Sequence, residues 1–216
     1  MATQEYTKED YKADFLTCET ITQKALERAL DTRKFEIDLY WKRAAYFWTF
    51  TGAALAGFVS LQASAISNKI DALVLVSCLG IVFSFAWWCV NRASKRWQEN
   101  WERHVDMLED KIEGPLYKVV MHGPRPVGLW RKLKSSLTGP GPFSVSKINQ
   151  VISFAVFAIW LALLKSSLPP IAWQANVNWL YVMLCSITAL ACVAFMTICR
   201  SDERVAGTWA TKRVPE

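Results

Sequence analysis

The chain has 216 residues, 52% of them hydrophobic and 20% charged, with a net charge of +6. The apolar residues are not spread as in a water-soluble domain but gathered in blocks long enough for a bilayer. Six cysteines do not form a disulfide framework: Cys78, Cys89, Cys185, Cys192 and Cys199 fall in the apolar blocks and Cys18 in a segment expected in the reducing cytoplasm. Cys185, Cys192 and Cys199 share one helical face and read as small packing residues rather than as metal or redox ligands.

Residues 1–14 are polar and acidic, so no signal peptide opens the sequence and the first apolar run acts as the insertion signal. Thr7 with Asp10 predicts a capping box, and Tyr11, Phe15, Cys18, Ile21, Ala25 and Leu30 form an imperfect apolar stripe. Residues 1–43 predict one or two helices, a second one beginning near Asp31 and Thr32 and running into the first span.

Residues 44–68 carry no charge. Within them Gly52, Ala56, Ser60 and Ser64 recur every four residues, as do Ala45, Thr49, Ala53 and Gly57. The span therefore has two small-residue faces, one for a neighbouring span and the other for a second subunit. Gly52, Ala56, Gly57 and Ser60 are the expected span-packing residues.

The second run, residues 72–90, continues without Pro or Gly from Ile81 to Glu113, where Gly114 and Pro115 stop a helix. Residues 71–113 thus predict one rod of about 60 Å, half membrane span and half stalk. On the stalk, Trp97, Trp101, Val105, Leu108 and Ile112 recur at helical spacing as a packing seam. Beside it runs an acidic row, Glu102, Asp106, Glu109 and Glu113, either a solvated face or a partner-facing one. Lys24, Arg28, Arg33, Lys34, Lys42 and Arg43 of the N-terminal segment could pair with it.

Gly-Pro pairs at 114–115, 123–124, 139–140 and 141–142, with Pro126 and Gly128, break residues 114–142. Inside that stretch residues 129–137 form a short amphipathic helix, with Trp130, Leu133 and Leu137 opposite Arg131 and Lys132. It lies either on the inner leaflet or as an ordinary surface helix. Residues 148–164 and 179–199 supply two more apolar runs; the third is short enough to suit a buried soluble helix as well. The tail, residues 200–216, is polar, with one aromatic residue, Trp209, and is either disordered or docked on the stalk layer.

Lys and Arg fall almost wholly in residues 1–43, 91–147 and 200–216, which hold 8, 11 and 4 of the 25. The positive-inside rule places all three, and both termini, in the cytoplasm. The charge is then mostly topology, so no nucleic acid partner is expected, and the bilayer is the primary partner. Trp41, Tyr46, Trp48, Trp87 and Trp88 are expected at the inner interface and Trp173, Trp179 and Tyr181 at the outer. The fold class is an all-α membrane protein, four transmembrane helices in two hairpins with a cytoplasmic helical stalk layer. Its parts are 1–43 (cytoplasmic helices), 44–90 (first hairpin), 91–147 (stalk and Gly/Pro-rich segment), 148–199 (second hairpin) and 200–216 (tail).

Catalytic chemistry is not legible. The phosphate-loop, zinc-protease, nucleophile-elbow and C-x-x-C patterns are absent, and of the two histidines His104, a lone imidazole, reads as a packing or hydrogen-bonding residue and His122 as a loop residue without nearby acids. No catalytic, cofactor or metal residue is assigned, and no enzyme activity is expected. The spans hold no ionisable residue at depth, which argues against a proton- or ion-coupled transporter. Thr49, Ser60, Gln62, Ser64, Ser77, Ser84, Ser153 and Ser186 either line an oligomeric opening or bond between helices.

Tyr40-Trp41-Lys42-Arg43, Tyr46-Phe47, and Trp97-x-x-x-Trp101-Glu102-Arg103-His104-Val105-Asp106-x-Leu108-Glu109 before Gly114-Pro115-Leu116-Tyr117 resemble the RipA family of small octameric bacterial membrane proteins, over roughly residues 35–120. The resemblance implies a homo-oligomer of the bacterial inner membrane, eightfold, and a looser kinship to octameric membrane accessory proteins of RNA-targeting CRISPR systems. Those are associated with a pore and an Arg-x(4–6)-His ribonuclease-like motif. Here seven residues separate Arg96 from His104 and Arg103 adjoins it, so ribonuclease activity is not carried over. The expected function is a non-enzymatic oligomeric pore or membrane-perturbing effector in antiviral defence; the competing reading is a scaffold whose stalk layer docks a soluble cytoplasmic partner. Cysteine labelling should find positions near Asn68 and Gln174 outside and those near Arg103, Lys132 and Lys212 inside. Labelling of position 132 from outside would overturn the four-span topology.

Overall fold

The computed structural model describes residues 2–123, 128–170, 177–200 and 208–214; Pro126, Trp173 and most of the segment 200–209 lie outside them. Its elements are, in chain order, β1 (Ala2–Tyr6), α1 (Lys8–Phe15), α2 (Glu19–Ala63), α3 (Lys69–Leu108), α4 (Leu129–Thr138), α5 (Val145–Ser167), α6 (Trp179–Met196) and β2 (Ala210–Val214). Four of these, α2, α3, α5 and α6, are long and apolar enough to cross a membrane. The all-α membrane class therefore holds, with a two-stranded ribbon added to it.

Two boundaries differ from expectation. Helix α2 starts at Glu19, not near Asp31, because nothing between Cys18 and Ala63 interrupts the hydrogen-bond ladder and Thr32 turns its hydroxyl back to the Arg28 carbonyl, 2.8 Å away, instead of capping. Helix α3 gives way to a 3-10 turn at Glu109–Lys111, a few residues before the Gly-Pro stop. Gly114 then adopts φ +75°, the left-handed conformation that favours glycine after a helix, and its N–H donates to the Glu109 carbonyl at 3.0 Å. At the N-terminus the expected capping box is present: Thr7 accepts from the Asp10 N–H, and Asp10 accepts from the Thr7 N–H at 2.9 Å.

The chain divides into two compact units, one of Met1–Phe35, Trp97–Ile148 and Glu203–Glu216, the other of Glu36–Arg96 and Asn149–Asp202. In the first, β1 and β2 pair antiparallel from Ala2 opposite Val214 to Tyr6 opposite Ala210, so the two ends of the chain meet. Its core is Tyr11 from α1, Leu26 and Ala29 from α2, and Val105 and Leu108 from α3. The N-terminal stripe is corrected here: Thr22, Leu26 and Ala29 form the buried face of α2, while Cys18 and Ile21 are exposed.

In the second unit α3 is the central helix. It runs antiparallel to α2 (Trp48 with Trp87, ring centroids 6.3 Å apart; Phe50 with Phe83, 5.5 Å) and to α5 (Phe85 with Phe157, 5.1 Å; Trp88 with Phe154, 6.1 Å). It runs parallel to α6, joined at one end by the Tyr181 hydroxyl donating to Asp71 at 2.6 Å and farther along by Phe85 with Phe195. Trp87, expected as an interface anchor, is instead buried against α2. The closest approach is at Gly80, where an added Cβ would stand 2.1 Å from Cδ2 of the buried Trp160. Without side-chain bulk at this position the two helices pack backbone against ring. Gly80→Ala should therefore push α5 off α3 and cost about 1–3 kcal/mol, the usual range for overpacking, read as a lower unfolding midpoint in detergent; an unchanged midpoint would show that Trp160 can leave its slot freely.

Candidate functional site

Two groups of residues were singled out by the sequence for function, the stalk segment and the small-residue faces of the first span. On the segment of α3 beyond the apolar run, Val105 and Leu108 are buried, and Trp101 and Ile112 pack on the same cluster from its edge. Trp97 does not join them; it is 41% exposed. The seam is therefore one turn shorter than its spacing suggests, because α1 and the 22–29 stretch of α2 cover only its distal part.

His104 sits at the centre of this packing. Its Nδ1 lies 2.9 Å from the Tyr11 hydroxyl, and its ring stacks at a tilt between Tyr11 and Trp101, 5.5 and 5.3 Å away. Burial holds the imidazole below its ordinary value and pushes the Tyr11 hydroxyl up to about 12. Both shifts favour one arrangement: a neutral ring whose Nδ1 accepts the proton that tyrosine donates. Tyr11 also meets Trp209 edge-on at 6.0 Å, which brings the segment before β2 onto the same core. The ribbon is fastened beside it by Asp14, which accepts from the Tyr6 hydroxyl at 2.6 Å and from Lys212 at 2.9 Å; the Lys212 ammonium also lies over the Tyr6 ring. These bonds hold the Asp14 carboxyl below the usual range, the Tyr6 bond first.

The acidic row does not survive as one surface. Glu109 is fully buried: its Oε2 accepts from the Tyr117 N–H at 2.8 Å, and its carbonyl accepts from Ile112, Glu113 and Gly114. It caps the end of α3, with the Lys118 ammonium 4.0 Å from Oε1 and itself bonded to Asp110 at 2.6 Å. As a partner-facing residue Glu109 is corrected. Glu102 lies 3.7 Å from Arg33, whose guanidinium also covers the Tyr117 ring, while Asp106 is half-buried and Glu113 is exposed. The Arg33–Glu102 pair is the part of the expected charge pairing that forms; Arg43 turns instead to Glu36, at 3.9 Å, and to Ser94, at 3.0 Å.

Among the spans, a cluster that the sequence did not announce joins three helices. The buried Asn149 amide donates to the Tyr40 hydroxyl at 2.7 Å and to the Asn91 side-chain oxygen at 3.2 Å, and Asn91 reaches Ser153 at 3.4 Å. Lone Asn residues near span ends are common, so only their register across three helices carried the signal. Ser77, Ser84 and Ser153 are also buried and donate to their own helix carbonyls, so they are corrected as lining residues. Among the described residues, no three His, Cys, Asp or Glu side chains gather to hold a metal ion.

The first span presents the opposite picture. Its inward face is Ala44, Thr51 and Phe58, all buried. Gly52, Ala56 and Ser60 are exposed and Gly57 half-exposed, and a Cβ at Gly52 or Gly57 would meet nothing within 4 Å. Ala45, Thr49 and Ala53 are exposed too. Neither small-residue face is consumed by packing within the protomer.

A family model, that of the octameric membrane protein family (8xMP), matches residues 23–169. The chain belongs to this family. The match runs from the first turns of α2 to the end of α5, and so takes in the His104 seam, the Asn149 cluster and the uncovered faces of the first span, well beyond residues 35–120. Curated proteins and solved structures gave no match. Membership makes the chain a multi-pass membrane protein of a family described as octameric.

The His104 contact predicts a pH dependence. A ring held below 6.5 when folded and free to reach about 6.5 when unfolded contributes stability that is complete above that pH and lost as pH falls through the folded value. The unfolding midpoint should drop between pH 7 and pH 5, and less so in His104→Asn. Equal pH slopes in the two proteins would show that the ring titrates freely.

Proposed function

We propose that the protein is a non-enzymatic octamer of the bacterial inner membrane, its termini cytoplasmic, assembled through the uncovered face of α2 and enclosing a passive opening. The observation that carries this reading is the two-sidedness of α2: Ala44, Thr51 and Phe58 are spent on the protomer, whereas Gly52, Ala53, Ala56 and Ser60 are left facing outward. In lipid, apolar side chains gain little by leaving one another's company for acyl chains, so a helix associates where small residues allow close backbone approach. Alanine, glycine and serine at four-residue spacing supply that. Thr49 and Ser60 are the polar groups of this face, and Thr49 satisfies its hydroxyl on the Ala45 carbonyl at 3.0 Å, so water in the opening would find a wall of weak polarity and no fixed charge. Such a wall suits unselective leakage or membrane stress rather than coupled transport. An effector role in defence, suggested by the looser kinship to accessory proteins of RNA-targeting CRISPR systems, fits that activity. A scaffold role has less support, since Glu109 is buried and Glu102 is engaged by Arg33.

The test is Gly52→Leu with Ala56→Leu. Because both positions are exposed on the protomer and a Cβ at Gly52 meets nothing within 4 Å, the thermal stability of the subunit should hold while the particle mass falls from that of an octamer. Wild-type liposomes should leak a trapped dye and the double variant should not. An unchanged particle mass would remove α2 from the interface, and dye retention by a wild-type octamer would remove the opening.

A further inference from the structure

Helix α4 leaves its apolar side bare: Leu129, Trp130, Leu133 and Leu137 are 83%, 81%, 51% and 76% exposed. At 100° per residue these four occupy one side of the cylinder, and Arg131 and Lys134, both exposed, stand beyond its edge. A face of this kind in water is a liability unless something covers it.

What covers it is indicated by charge and by tether. Between Gly114 and Ile148 the chain carries Lys118, Arg125, Arg131, Lys132, Lys134 and Lys147 and not one acid. Elsewhere the remaining basic residues equal the 19 acids in number, so this stretch holds the entire net charge of +6. The tether is short. Helix α4 ends at Thr138 and α5 begins at Val145, and seven extended Cα steps reach only about 25 Å. The apolar run of α5 starts within two turns, at Val151.

We propose that α4 lies in the headgroup region of the bilayer that the spans cross, its Leu and Trp side chains in the acyl boundary and its basic flank on anionic lipid. Trp130 suits that depth, where an amphipathic indole is favoured, and Arg131 and Lys134 have stems long enough to lie along the boundary with their charges in the headgroups. A protein partner or a second copy would have to bring acids to the same flank, which an anionic lipid surface supplies along its whole extent.

The experiment uses the intact protein in liposomes of phosphatidylcholine, with and without phosphatidylglycerol, containing a phospholipid with a diazirine on its acyl chain. After photolysis, the adducts are mapped by mass spectrometry. Peptides holding residues 129–138 should be labelled as the spans are, severalfold more at Trp130, Leu133 and Leu137 than at Arg131 and Lys134, and more strongly when phosphatidylglycerol is present. Leu133→Ser with Leu137→Ser should lose this label while the particle mass stays unchanged. Absence of label on 129–138 in both lipid mixtures overturns the proposal. So does a fall in particle mass in the double Ser variant, which would assign the face to a subunit contact.

Discussion

The approach of α5 to α3 at Gly80 is the contact on which the spans depend. In water a poorly fitted pair of apolar helices still gains by excluding solvent, but in a bilayer the lipid tails are equally good company, and fit has to supply the attraction. Trp160 provides it by filling the slot left by a missing side chain, and Phe58 meets the same ring edge-on at 6.0 Å, so α2, α3 and α5 share one indole. The Asn149 cluster adds direction to this packing. Its hydrogen bonds fix which turn of α5 faces Asn91 and Tyr40, and each member satisfies another's polar group where no water would.

The other unit is held by different physics. Tyr11, Leu26, Val105 and Leu108 leave water when they pack, and the polar groups buried with them are mostly paired: His104 with Tyr11, Thr22 with the Phe15 and Cys18 carbonyls, Glu109 with the Tyr117 N–H. Lys111 closes the arrangement by donating to the Leu16 carbonyl at 2.7 Å. Salt bridges at its surface, such as Arg33 with Glu102, contribute little by comparison.

How much of this was legible follows from which properties are local. Charge-free length is local, so four spans could be read directly, and so could the Thr7 capping box and the stop at Gly114. The reach of α2 was legible too, since no Pro or Gly lies between Cys18 and Thr51, but Asp31 and Thr32 imitate a cap and suggested a boundary. Burial is not local. Periodicity placed Glu109 in a solvated or partner-facing row and the aromatic-belt rule placed Trp87 at an interface, and only the fold of residues 109–118 and the crossing of α2 buried them. Gly80 gives no sign of Trp160, eighty residues away. One small-residue face of α2 was expected to serve a neighbouring span, but the protomer uses neither, because Ala44, Thr51 and Phe58 form a third.

The ribbon ties the first residues to the last, Ala2 with Val214 and Asp14 with Lys212, so the polypeptide is topologically a closed ring fastened by hydrogen bonds. During synthesis the strand near the N-terminus is made long before its partner, so it stays unpaired until Ala210–Val214 has been made. Without that last strand Tyr6 and Tyr11 lack Lys212 and Trp209, and the unit around His104 stays unfinished.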